Sequence, residues 1–278
     1  MEFSNGHFLK PKNRNSSFNL IVGTHKTKMP VLSGPKCYQI KMYRLGDIYE
    51  VYKYELPVYA GYHKFKKYNN SNPTDENKKL DNRKKVVTRI RNRVRRLAIA
   101  NFDEHSRFFT STFADNIKDM NFANNEFKKF IQRLKYHYGD FKYLVVVEFQ
   151  KRGAIHYHML SDFGYIEHSD LEKLWGNGFV WINDLLKANK GKPVDNVGAY
   201  LVKYMNKNII DKRLMGKKAY FTSRNLKKPE IIYENLNLLD CFEKYNLDGD
   251  NLIFNNSFMS KENGLVCYFE FNKKRSLK

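Results

Sequence analysis

The chain has 278 residues and carries 50 Lys and Arg against 29 Asp and Glu, a formal charge of +21, with a sequence pI of about 9.7. Such an imbalance costs self-repulsion, so a polyanionic partner is its natural explanation. Nucleic acid fits better than a membrane surface, because 19 Tyr and 21 Phe are interleaved with the basic residues and can stack on bases. Cys37, Cys241 and Cys267 are odd in number and form no Cys-x-x-Cys pair, so they read as free thiols of a reducing cytosol. The N-terminus has no apolar signal core and no segment reaches the length of a membrane span, so the expected location is the cytoplasm.

Taken in order, residues up to about 34 are polar and basic and read as irregular. Residues 37–43 and 48–54 alternate around Leu45-Gly46-Asp47 and predict a β-hairpin, either a structural arm or dimer contact or a small basic and aromatic reader of DNA. Residues 68–79 are rich in breakers and predict a loop. Residues 83–101 predict a helix with Val86, Val87, Ile90, Val94, Leu97 and Ala98 as its apolar stripe. Arg83, Lys84, Lys85, Arg89, Arg91, Arg93, Arg95 and Arg96 cover the rest. Eight cations with no acid are expected to contact phosphates, with Arg83, Lys84, Lys85, Arg89, Arg93 and Arg96 foremost.

A strand over 107–113 follows, then a helix over 124–138 with Phe127, Phe130, Ile131 and Leu134 on one side. Strands over 142–150 and 154–161 flank Lys151-Arg152-Gly153, a three-residue hairpin turn with Gly at positive φ. That register sets Gln150 opposite Ala154 and Glu148 opposite His156. His156 and His158, two residues apart on one strand, share a face. Glu148, His156 and His158 therefore converge as two imidazoles and a carboxylate, suited to a divalent cation that polarises a phosphate, with Gln150 the alternative third ligand. A short helix over 170–175 and a strand over 178–182 lead to a helix over 195–207, N-capped by Asp195. Val197, Leu201, Tyr204, Met205 and Asn208 recur at helical spacing, and Tyr200, Lys203 and Tyr204 lie along one side. Those tyrosines are either half-buried aromatics or, in the sharper reading, phenols that attack a phosphodiester while Lys203 stabilises the developing charge.

A His-hydrophobic-His pair, an upstream carboxylate and a downstream Tyr-x-x-Lys-Tyr together resemble the HUH endonucleases, and most closely the rolling-circle replication initiators of bacterial plasmids and single-stranded DNA phages. Phe108-Phe109-Thr110-Ser111-Thr112-Phe113 resembles a further strand motif of that family, with Ser where Leu is common. The resemblance runs from about residue 83 to 229. It implies an α+β fold, an antiparallel sheet with helices on its faces in the ferredoxin-like manner, and a metal site of His156, His158 and Glu148 holding Mg²⁺ or Mn²⁺. It also implies Tyr200, at the Tyr-x-x-Lys position, as nucleophile forming a 5′-phosphotyrosine and freeing a 3′-hydroxyl, with Tyr204 as a second tyrosine or a packing residue. Thr110 and Thr112 would contact DNA or brace the sheet.

The expected partners are single-stranded or stem-loop origin DNA, plus a host helicase and polymerase in a bacterial cytoplasm, since no Gly-x-x-x-x-Gly-Lys-Ser/Thr loop signals a fused helicase. Lys151, Arg152, Lys207 and the basic stretch 216–229, with Lys217, Lys218, Tyr220, Ser223 and Arg224, complete the expected DNA-contacting set. A mobilisation relaxase, a single-strand transposase and a non-catalytic DNA-binding protein remain alternatives. The remaining chain predicts a helix over 238–245 and strands over 251–254 and 265–271. The expected division is an arm with linker over 1–80, a nuclease domain over 81–230 and an accessory segment over 231–278.

Overall fold

A computed structural model describes residues 37–59, 76–191, 193–194, 196–205 and 218–274. The N-terminal stretch to residue 34, residues 68–75 of the predicted loop, Asp195, Lys207, Asn208 and Lys217 lie outside the described residues, as does the side chain of Arg83. The fold is α+β, with two five-stranded antiparallel sheets flanked by helices.

The sheet that carries the histidines has strand order β6-β3-β5-β4-β7, formed by β3 (Arg107–Thr112), β4 (Tyr143–Phe149), β5 (Ile155–Ser161), β6 (Val180–Asp184) and β7 (Tyr220–Thr222). One face is closed by α2 (Met120–Tyr138) and α3 (His168–Trp175). Phe127, Phe130, Ile131 and Leu134 of α2, all buried, pack there with Phe109, Val145, Val147, Tyr157, Met159 and Trp175. Asp119 starts α2 four residues before the predicted boundary, its carboxylate accepting from the amides of Asn121 and Phe122.

The opposite face is only partly covered, by α1 (Glu76–Ile99) and α4 (Val197–Val202), whose Val94, Ala98, Val197, Leu201 and Val202 pack on Phe108, Leu144, Val146 and Leu160. A single 3₁₀ turn, Lys203–Met205, follows α4. The helix is capped by Asn196, whose side-chain oxygen accepts from the amide of Ala199 at 2.8 Å, one residue beyond the expected Asp195. A Cβ on Gly198 would meet the carbonyl oxygen of Arg95 at 2.4 Å, so the absence of a side chain lets α4 press directly on the α1 backbone.

Helix α1 begins seven residues before the predicted start, and Val86 of its expected stripe is exposed. The side of α1 that faces away from α4 meets the second sheet, order β8-β1-β2-β10-β9. The predicted hairpin, β1 (Cys37–Leu45) and β2 (Ile48–Tyr59), forms its centre. The hairpin is flanked by β8 (Glu230–Glu234) on one side and by β10 (Gly264–Asn272) and β9 (Leu252–Ser260) on the other. The N-terminal arm and the C-terminal segment, read separately from the sequence, are thus joined in one sheet. Its outer face is closed by α5 (Leu238–Lys244), with Leu238, Cys241 and Phe242 packed on Ile40, Met42, Val51 and Phe271. The strands β7 and β8 were not foreseen.

Arg95 and Arg96 correct the reading of α1 as a uniformly DNA-facing surface. Both point into the second sheet. The Arg95 guanidinium binds Glu50 and, at 2.9 Å, Glu270. Arg96 donates through Nε to Glu50 at 2.7 Å and through a terminal nitrogen to the Tyr52 hydroxyl at 2.8 Å, and lies 3.6 Å from the Tyr43 ring centroid. Glu50 is fully buried. Burial opposes the charge on Arg95, but Glu50 and Glu270 outweigh it and hold its pKa above the ordinary range. Arg96 therefore serves the interior, because a buried carboxylate must be paired. Lys84, Lys85, Arg89 and Arg93 remain exposed.

Candidate functional site

The β4–β5 hairpin has the register that the sequence predicts. Glu148 pairs with His156, Gln150 donates its backbone amide to the Ala154 carbonyl at 2.8 Å, and Gly153 adopts φ 93° at the turn. His156 and His158 accordingly share the partly covered face, both buried. His158 Nε2 lies 2.7 Å from Glu148 Oε2 and its Nδ1 lies 3.0 Å from Thr110 Oγ1, so both ring nitrogens are engaged. His156 Nδ1 faces the Gln150 side-chain amide at 3.4 Å, and Gln150 in turn accepts from Arg152 at 3.1 Å. Burial, then the charge on His158, pushes the pKa of His156 down to about 4 against the opposing pull of Glu148. Its imidazole is therefore neutral at ordinary pH, the form in which a ring nitrogen can ligate.

Helix α4 and its 3₁₀ turn bring the two tyrosines over this patch. The Tyr204 ring stacks on His158, with centroids 3.9 Å apart and planes at 22°. Tyr200 meets Phe108 edge-on at 5.0 Å and lies 6.0 Å from Tyr204. The Lys203 ammonium sits 4.0 Å from the Tyr200 centroid and 5.5 Å from that of Tyr204. Burial, then a hydrogen bond with the Tyr200 side chain and the nearby charge of Glu148, raises the pKa of the Tyr204 phenol well above its usual value. Tyr204, which the sequence left between packing and chemistry, thus contacts a histidine directly.

Among the described residues, no group of three or more His, Cys, Asp and Glu side chains is spaced to hold a metal ion. The Glu148 carboxylate instead rests on the His158 ring. The donor chemistry nevertheless fits a divalent cation: two imidazoles, one held neutral by burial, a carboxylate and a carboxamide lie within one patch of adjoining strands.

Other expected contacts divide. Thr110 reaches His158, whereas Thr112 Oγ1 donates to the Phe179 carbonyl at 3.2 Å and braces β6. Lys151, Arg152, Lys218 and Arg224 are exposed, and Tyr220 packs against the cluster beneath α4. Ser223, expected to face DNA, is buried with its hydroxyl accepting from the Tyr143 amide at 3.0 Å. Sequence reasoning missed Glu50, Glu270 and Asn196. Asn196 caps α4 and also donates to Glu270 at 2.9 Å, tying the tyrosine-bearing helix to the second sheet. The available signal was an acid set among aromatics in both β2 and β10, each needing a cation from elsewhere.

Two antiparallel sheets flanked by helices, with a His-x-His strand facing a tyrosine-bearing helix, correspond to an HUH-type nuclease core. Residues 106–209 match the family model of the replication-associated protein ORF2. Over that span the chain belongs to this family of the Rep/HUH endonuclease superfamily. Comparison with curated proteins and with solved structures found no match. Among the described residues, no helix is long and apolar enough to cross a membrane.

Proposed function

We propose that the protein is a rolling-circle replication initiator that nicks single-stranded origin DNA by tyrosine transesterification and later rejoins the strand. The observation that carries this reading is the meeting of two independently positioned groups on one face: the His156–His158–Glu148 patch of the sheet and the Tyr200–Lys203–Tyr204 edge of α4, with Tyr204 stacked on His158.

His156, His158 and Glu148, with Gln150 in reserve, would hold Mg²⁺ or Mn²⁺, which when bound neutralises and orients the non-bridging oxygens of the scissile phosphate. Thr110 fixes the His158 ring through Nδ1. Tyr200 attacks first: its Oη–P bond forms as the phenolic proton leaves, the P–O3′ bond breaks, and the 3′ oxygen takes up a proton. The products are a 5′-phosphotyrosine and a 3′-hydroxyl. Lys203, nearer to Tyr200 than to Tyr204, stabilises the phenolate. Tyr204, held protonated by its burial, is reserved for the second transesterification, which preserves the phosphodiester energy for rejoining.

The test uses the full-length protein with single-stranded oligonucleotides tiling the replicon that carries its gene. Cleavage and a protein–DNA adduct that survives denaturation are expected with Mn²⁺ or Mg²⁺ and not with chelator. Tyr200→Phe is expected to abolish the adduct, while Tyr204→Phe forms it and rejoins an acceptor strand poorly. Absence of metal-dependent cleavage on every oligonucleotide overturns the proposal, and an adduct that survives Tyr200→Phe but not Tyr204→Phe exchanges the two roles.

A further inference from the structure

The chain has two tryptophans, and the structure treats them oppositely. Trp175 is fully buried, its indole N–H donating to the Thr112 carbonyl at 2.8 Å. Trp181, on the edge strand β6, is 66% exposed, and its neighbour Phe179 is 71% exposed. Val180 and Ile182 face the core beneath α2 and α3, so strand alternation turns Phe179 and Trp181 to the other face, the one that carries the histidines. Register fixes their place on it. Trp181 pairs with Thr110, and Thr110 pairs with His158 and touches its ring. Phe179 lies beside Thr112, which pairs with His156.

The two aromatics therefore continue, one to one, the two rows of the sheet that contain the histidines. With strands about 4.8 Å apart, Trp181 stands roughly 10 Å from His158, the span of about three stacked nucleotides and fewer in an extended strand. Both rings are held in place. A Cβ on Gly178 would meet the Ala114 amide nitrogen at 2.4 Å and the Thr112 carbonyl oxygen at 2.5 Å, so the chain entering β6 lies hard against the end of β3. The Trp181 indole N–H is already satisfied by Asn183 Oδ1 at 2.8 Å, so what the ring offers outward is its π-face.

Two fixed, exposed aromatics that prolong a phosphate-handling patch, on a protein of charge +21, fit the bases of a single strand better than any apolar partner. We propose that Phe179 and Trp181 form a stacking platform that seats nucleobases flanking the scissile phosphate. The proposal rests on reading this face as the strand-binding face. It adds the element that would set the strand's position along the sheet, with sequence tolerance because every base has a π-face.

The experiment measures affinity alone, in chelator so that no cleavage occurs, with a dye-labelled single-stranded 20-nucleotide probe and the full-length protein. Trp181→Leu keeps an apolar side chain but loses the π-face, and it is expected to weaken binding about 5- to 100-fold, more when combined with Phe179→Leu. Trp181→Phe is expected to recover most of the loss. The slope of affinity with salt stays unchanged in all three, since no cation is removed. In the wild type, DNA is expected to quench the fluorescence of the exposed indole. Wild-type affinity in Trp181→Leu overturns the platform while leaving the cleavage reading intact. The same holds if the substitution changes the oligomeric state and not DNA affinity, which would make the edge a contact between copies. Failure of the wild type to bind the probe overturns the reading of the face itself.

Discussion

Thr110 and Gly198 each shape the site without contributing to the reacting atoms. The Thr110 hydroxyl holds the His158 ring from the side opposite Glu148. Thr110→Val keeps the β-branched shape and removes only that contact. Metal affinity and nicking are expected to fall about 10- to 100-fold with little change in melting temperature, read by metal titration of cleavage beside thermal unfolding. Gly198 is different in kind, since its constraint is steric. Gly198→Ala forces α4 away from the α1 carbonyl it touches, with an expected cost of about 1–3 kcal/mol by denaturant unfolding and a parallel loss of adduct. At this scale the sequence was informative where geometry is local. The strand period and one glycine at positive φ fixed Glu148 opposite His156. Local pattern could not show that the Tyr204 ring lies on His158 and Tyr200 on Phe108, because a turn-by-turn reading of α4 says nothing of how far the helix slides along the sheet.

Helix α1 has three differently employed sides. Val94 and Ala98 pack on the nuclease sheet, Arg95 and Arg96 enter the second sheet, and Lys84, Lys85, Arg89 and Arg93 face solvent. Substitutions on these sides are expected to separate stability from binding. Glu50→Gln leaves two guanidinium groups undercompensated in the interior and is expected to cost about 3–5 kcal/mol in chemical denaturation. Arg89→Gln with Arg93→Gln is expected to leave stability within about 0.5 kcal/mol while lowering affinity for all sequences, with the log–log salt slope falling by about 0.7 per lost contact on single strands. Loss confined to one sequence would point to base readout instead. The helix was legible as basic and amphipathic, but the destination of each arginine was not. A run of cations looks the same whether it meets water, phosphate or a buried glutamate supplied from another strand. Strands β7 and β8 escaped for a related reason: both are short, half-exposed on each face, and defined by their partners more than by alternation.

Across the whole molecule, α1 lies between the two sheets, and Asn196 links the cap of the tyrosine helix to Glu270 of the far one. The C-terminal strands are therefore structural members of a sheet whose centre is the N-terminal hairpin. Removing β9 and β10 uncovers Tyr49 and Val51 and takes Glu270 from Arg95. That deletion is expected to abolish cooperative folding of the second sheet and lower nicking, as followed by hydrogen exchange of β1 and β2 and by adduct yield. The two-sheet arrangement was beyond the sequence because its pairings join strands at opposite ends of the chain, where no local pattern reports proximity.

That pairing also sets an order of events during synthesis. The β1–β2 hairpin emerges from the ribosome first, yet its neighbour β10 is among the last segments made. At ordinary translation speeds the interval is on the order of ten to forty seconds, far longer than the microseconds in which a hairpin forms. For that time β2 presents an unpaired edge bearing Val51 and the buried-to-be Glu50, a template for pairing with the nascent chain on a neighbouring ribosome. The nuclease sheet, whose strands all lie between, is complete before the second sheet can close. Slower elongation after β7 is thus expected to raise the yield of soluble nuclease core less than it raises aggregation through β2, a balance that ribosome-bound nascent chains of graded length would reveal by their protease resistance.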